Sequence, residues 1–187
     1  MSKKWKIILG LVVVLFVGGY VMTNITQDEA QEIEKEVNRV HGEYTTIEIF
    51  HIEKVGSNRI LVFYKWGVLG KRFTVAELKK TLFGWNYKSG FSIDFREKRR
   101  FTALNELGIM VGLVPSDDYH EIKIETSSGD MQTATILENE RGTKTYWFYV
   151  VEEVGEFQEI FNASVYAVTE DGEVIEEIEK PDNEPLY

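Results

Sequence analysis

Sixteen uncharged residues, Ile7 to Met22, follow Lys3, Lys4 and Lys6 and precede an acidic stretch that begins at Asp28. Extended to Thr26, the uncharged segment reaches about 20 residues. At ~1.5 Å rise per residue, a helix of that length covers a ~30 Å hydrocarbon layer. Residues 7–26 are therefore expected to cross a bilayer once, with Ile7, Leu11, Leu15 and Val21 among the anchor side chains. The three lysines on the amino side, set against Asp28, Glu29, Glu32 and Glu34 beyond it, place the short N-terminus in the cytoplasm and the rest of the chain outside. A cleavable secretory signal is the competing reading, and it exports the chain equally. Val17-Gly18-Gly19 and Val21-Met22-Thr23 match a small-X-small cleavage pattern poorly. Trp5 and Tyr20, near the two ends of the segment, suit headgroup level and favour a retained anchor.

Beyond Lys6 the chain carries 18 basic and 31 acidic residues, a formal charge of −13. Such a balance repels polyanions, so nucleic acid is not an expected partner. Cysteine is absent. A lipid-modified bacterial lipoprotein is thereby excluded, and an exported domain without disulfides must be held by a packed core.

Thr26 and Glu29 form a capping-box pair, and Ile33, Val37 and Val40 recur at helical spacing, which predicts a helix from Asp28 to Val40 that closes at Gly42. From Thr45 onward β-branched and aromatic residues dominate. Strands are expected at Thr46–Val55, Arg59–Trp66, Lys71–Ala76 and Tyr87–Ile93, with Gly56-Ser57-Asn58 making the first pair a hairpin. Glu77–Leu82 is open between a helical turn and a continued strand. In the second half, strands are expected at Ile109–Val114, Tyr119–Thr126, Met131–Leu137, Thr143–Val151, Ala163–Thr169 and Glu173–Ile178. In Glu121–Glu125 the two isoleucines alternate with charges, as a half-buried antiparallel strand requires. Ser127–Asp130 and Asp171-Gly172 read as hairpin turns. The fold class is mainly β: a transmembrane helix and short juxtamembrane helix, then antiparallel sheets, the second half sandwich-like. The organisation is anchor 1–26, juxtamembrane helix 27–42, first β subdomain 43–95, basic connector 96–105, second β subdomain 106–180 and acidic tail 181–187.

Two segments carry a resemblance. The run Ile60–Trp66, followed by Glu77-Leu78-Lys79-Lys80-Thr81-Leu82-Phe83-Gly84-Trp85, resembles small N-terminally anchored exported proteins of Bacillus-type Gram-positive bacteria. The second half, with the Tyr146-Trp147-Phe148 strand, the Val165-Tyr166-Ala167 strand and the Asp171–Ile175 hairpin, resembles the immunoglobulin-like sandwiches of such proteins. The resemblance implies a compartment and an architecture, and it carries over no catalytic residue.

The residues that could carry chemistry are few. His41, His51 and His120 form no ligand pair, and with no cysteine a zinc site would need distant assembly, so no metal and no cofactor are expected. His51 alternates with Ile47 and Ile49 and is expected beside them, partly buried. Asp117-Asp118 lacks the ligand spacing of a calcium loop. No serine sits in a nucleophile motif, so the chain is not expected to be an enzyme. Two binding candidates remain. Trp66 and Trp85 are candidates to line an exposed aromatic groove. The basic run Arg96, Lys98, Arg99 and Arg100, flanked by Phe95 and Phe101, is a candidate contact for anionic lipid or an anionic envelope polymer. The expected function is a non-catalytic envelope binding module. The alternatives are an accessory or cryptic enzyme of wall or lipid metabolism, and a structural or regulatory partner of another membrane protein, which predicts a helix projecting from residue 28 onward.

Overall fold

The run Ile60–Tyr64, five apolar or aromatic residues in succession, is too uniformly hydrophobic for a strand with one wet face. In the computed structural model, which describes residues 29–42, 46–67, 72–93, 101–114, 118–138, 144–151 and 163–178, this run is buried on both sides. It belongs to β2 (Arg59–Trp66), an inner strand of a meander β1-β2-β3-β4 completed by β1 (Ile47–Lys54), β3 (Arg72–Thr81) and β4 (Gly84–Ile93). Every pairing in it is antiparallel. Glu77 to Thr81 is strand, because β3 runs the full length of β4.

One face of this sheet is covered by a helix, α1, over residues 29–41. Its apolar stripe is narrow: Ile33 and Val37 enter a core with Ile60, Val62, Tyr64, Ala76, Leu78 and Trp85. The helix lies along the sheet and does not project, so the arrangement expected of a stalk-like partner is not seen over these residues. The other sheet face, with Leu61, Phe63, Phe73 and Val75, packs on Leu104, Leu107, Ile109, Val111, Leu137 and Phe148 of the second half. The two halves thus share a core.

The second half forms two more sheets. One has the order β5-β6-β10-β9, from β5 (Phe101–Leu104), β6 (Ile109–Leu113), β9 (Thr135–Glu138) and β10 (Lys144–Val150). The other has the order β12-β11-β7-β8, from β7 (Glu121–Glu125), β8 (Met131–Thr133), β11 (Ser164–Val168) and β12 (Val174–Ile178). They enclose a third core that contains Phe101, Met110, Ile122, Ile124, Trp147, Val165, Ala167 and Ile178. The layers run α1, first sheet, middle sheet, outer sheet, and the middle sheet is buried on both faces.

Three expectations need correction. The connector drawn over 96–105 is too long, because Phe101–Leu104 is a strand paired with β6, followed by a 3-10 turn at Asn105–Leu107. Met131–Leu137 is not one strand. It pairs with β7 up to Thr133 and with β10 from Thr135, switching sheets at Ala134, whose N–H still donates to Ile122 O of β7. A corner of this kind lets one segment serve two packed sheets. Finally, β1 slips register between Ile49 and His51. The irregularity breaks the two-residue alternation. Ile47 and Ile49 join the α1 core, whereas His51 faces Phe63 and Phe148 on the other side.

Among the described residues no helix is long and apolar enough to cross a membrane. The expected span at 7–26 lies outside the described residues, as does the tail at 181–187.

Candidate functional site

The two ends of α1 are where polar chemistry gathers. At its first turn, Glu29 Oε1 accepts from Lys80 Nζ at 2.9 Å and from Trp85 Nε1 at 3.2 Å, and Lys54 Nζ lies 3.9 Å from Glu29 Oε2. The carboxyl is held below its ordinary range, chiefly by the Lys80 hydrogen bond. Lys80 also stands over the Trp85 ring at 5.2 Å, a favourable cation–π placement. Glu29 thereby ties the helix start to the β1–β2 and β3–β4 hairpins together.

Two turns on, Glu36 Oε1 accepts the backbone N–H of Tyr87 at 2.9 Å, and the same carboxylate takes both Nε and Nη2 of Arg39. The β3–β4 register slips beside Tyr87, where Leu78 pairs with Tyr87 and Glu77 with Ser89. Such a bulge disrupts the local ladder, and here a helix carboxylate binds the backbone at the slip. Arg39 first, and the Tyr87 N–H after it, pull the Glu36 carboxyl down to about 2.

At the far end, His41 Nε2 lies 2.7 Å from the hydroxyl of Tyr64, and its ring sits 4.4 Å from the Trp66 ring. Burial pushes His41 down and the fully buried Tyr64 phenol up. Trp66 Nε1 donates to Thr74 Oγ1 at 2.9 Å and to Ser92 Oγ at 3.2 Å, and the Arg72 guanidinium covers its ring at 5.1 Å.

Trp66 and Trp85 therefore do not line one groove. They stand at opposite ends of a 13-residue helix, roughly 18 Å of axis apart. Trp85 is only 8% exposed, and both indole N–H groups are engaged. Each ring seals one end of the α1 seam. The basic-run candidates Arg96, Lys98, Arg99 and Arg100 and the anchor residues Ile7, Leu11, Leu15 and Val21 lie outside the described residues. Among the described residues no group of three or more His, Asp or Glu side chains is placed to hold a metal ion.

One feature is invisible to a motif search. The β3–β4 turn carries Leu82 and Phe83 at 99% and 97% exposure. Its geometry is kept by Thr81, whose hydroxyl donates to Gly84 O at 2.8 Å and accepts from the Phe83 N–H. Burial plays no part in holding the two apolar side chains. The readable signal is Lys-Lys-Thr-Leu-Phe-Gly, two large hydrophobes where a hairpin turn ordinarily uses Asn, Asp or Gly. No protein-family model, curated protein or solved structure matches this chain.

Proposed function

We propose that the chain is a single-pass membrane protein, crossing the bilayer through residues 7–26 with its N-terminus in the cytoplasm, whose β domain acts outside the cell as a non-catalytic binding module of the envelope. The observation that carries the reading is the continuity between anchor and domain. The lysine-led apolar segment of the sequence gives way within three residues to Glu29, and Glu29 is bound directly to Lys80 and Trp85 of the first sheet. A domain attached this closely is held at the membrane surface, where an anionic envelope polymer or another membrane protein is within reach.

Binding is favoured over catalysis by the direction of the carboxyl shifts. Glu29, Glu36 and Glu121 are all held below the ordinary range by lysine or arginine partners. Paired carboxylates of this kind serve structure, whereas a general acid needs its pKa raised towards neutrality. The second half supports an immunoglobulin-like assignment. If β5 to β12 are labelled A, B, C, C′, D, E, F and G in chain order, the sheet orders read A-B-E-D and G-F-C-C′, which supports the immunoglobulin-like reading.

Protease added to intact cells tests the topology. Digestion of the β domain without lysis is the expected result, and protection until lysis overturns the reading. Recovery of envelope polymer by the full-length protein, compared with the Arg96→Ser, Arg99→Ser, Arg100→Ser triple variant, tests the ligand. Equal recovery removes the basic run from the site.

A further inference from the structure

Leu82 and Phe83 are the two most exposed large hydrophobic side chains among the described residues. They stand together at a hairpin tip that needs neither of them for its own geometry. Exposed apolar pairs at a rigid tip mark a surface with a partner, and the position of this tip identifies the partner. The residues flanking the turn, Lys80 and Trp85, are the two that bind Glu29, and Gly84 abuts the Glu32 side chain so closely that a Cβ there would fall 1.6 Å from its Oε1. The tip is therefore beside the first turn of α1. Three residues separate Thr26 from Glu29, a contour of at most about 11 Å.

We propose that Leu82 and Phe83 form a membrane-insertion wedge that enters the headgroup and upper acyl region of the same bilayer that holds the anchor. This rests on the reading of residues 7–26 as a bilayer span. A tip carrying one aliphatic and one aromatic side chain suits the interfacial zone, where apolar groups bury roughly 5–10 Å deep. Of the carboxylates nearby, Glu32 lies against Gly84 without an ion pair among the described residues, and the others are compensated. Glu29 is neutralised by Lys80 and Lys54, and Glu77 by Lys79 and Arg59. Lys54, Lys79 and Lys80 are about half to three-quarters exposed, so their ammonium groups can rise to the headgroups while their stems lie along the apolar tip. Anchor and wedge together give two attachments, which fix the tilt of the domain and present the Trp66 end of the first sheet, with His41 of α1 beside it, away from the lipid.

The absence of cysteine makes the test clean. Full-length protein carrying Leu82→Cys or Phe83→Cys, labelled with an environment-sensitive fluorophore, is reconstituted into phosphatidylcholine–phosphatidylglycerol vesicles with or without brominated acyl chains. Ser127→Cys, on the β7–β8 turn of the outer sheet, is the reference. Co-flotation with vesicles reports the anchor, and bromolipid quenching reports the wedge. Flotation with quenching at 82 and 83 at least twofold above that at 127 is the expected result. Flotation with equal quenching at all three sites overturns the wedge and leaves the anchor standing. A blue-shifted label that bromolipid does not quench shows the tip covered by protein, such as a second copy, and also overturns it. Failure to float overturns the anchor reading and the wedge with it.

Discussion

Replacing Glu36 by glutamine removes the charge that holds α1 to the β4 bulge and leaves the shape almost unchanged. A carboxyl pulled down to about 2 in the folded chain, against an ordinary 4.5, corresponds to about 3 kcal/mol at most. Part of this comes from Arg39, whose side chain is 62% exposed, and an exposed pair three residues apart on a helix is worth only a few tenths of a kcal/mol after solvent screening. The Tyr87 N–H, which pulls less than Arg39 but is better shielded, is a hydrogen bond to a charged acceptor on a side chain only 14% exposed, worth ~1.5–3 kcal/mol. The expected cost of Glu36→Gln at pH 7 is therefore about 2 kcal/mol. Because the folded value lies below the unfolded one, this stabilisation is complete above about pH 4.5 and is lost as pH falls through about 2. At pH 3 less than half of it should remain. Urea unfolding of the full-length wild type and variant in detergent micelles, followed by tryptophan fluorescence at pH 7 and pH 3, measures both values. A difference below ~0.5 kcal/mol at pH 7, or one that does not change between the two pH values, would refute the assignment of Glu36 as the charged clamp.

Two further substitutions probe the packing between layers. At Gly112, opposite Trp147 in the β6–β10 pair, an added Cβ would lie 2.5 Å from the buried indole. Gly112→Ala should cost ~1–3 kcal/mol by overpacking and red-shift tryptophan emission as Trp147 loses its 3.1 Å bond to Leu113 O; an unchanged urea midpoint would contradict the stacking. Arg59 reaches from β2 to Leu107 O of the second half and lies 3.4 Å from Glu77 Oε1. Since Lys79 still pairs with Glu77, Arg59→Met should cost only ~1–2 kcal/mol in urea unfolding, less than the ~3–5 kcal/mol of a fully orphaned buried charge.

Much of the β architecture is written in local patterns. β2, β6, β7 and β11 were legible because each carries a run or alternation of apolar residues between turn signals, and α1 because Ile33 and Val37 recur at helical spacing. What the sequence hid has physical causes. Parity along β1 points His51 to the wrong face, because an inserted bulge residue leaves no local mark. Phe101 to Leu104 reads as an extension of the basic run, since four residues are too few to show a period, and only pairing with β6 makes them strand. Trp66 and Trp85 are close in sequence yet are carried apart by the intervening hairpin. Leu82 and Phe83 stand in the segment that carries the resemblance, yet their exposure is not legible there: hydrophobicity in a sequence is ordinarily read as burial, and only coordinates distinguish an apolar residue in the core from one at a tip.

The layer order also limits where a ligand can bind. The first sheet is covered by α1 on one face and by the middle sheet on the other, and the middle sheet is buried on both. The outer sheet alone has an uncovered face among the described residues, and along β7 and β11 it presents Glu121, Lys123, Glu125 and Tyr166. That face is predominantly acidic and repels a polyanion. Ile93, at the end of β4 and paired with Phe73, lies opposite the Leu82–Phe83 tip. Ten residues of strand separate Ile93 from Gly84 by about 30 Å. With the tip seated in the bilayer as proposed, the Ile93 end of β4 stands at the end of the sheet away from the lipid.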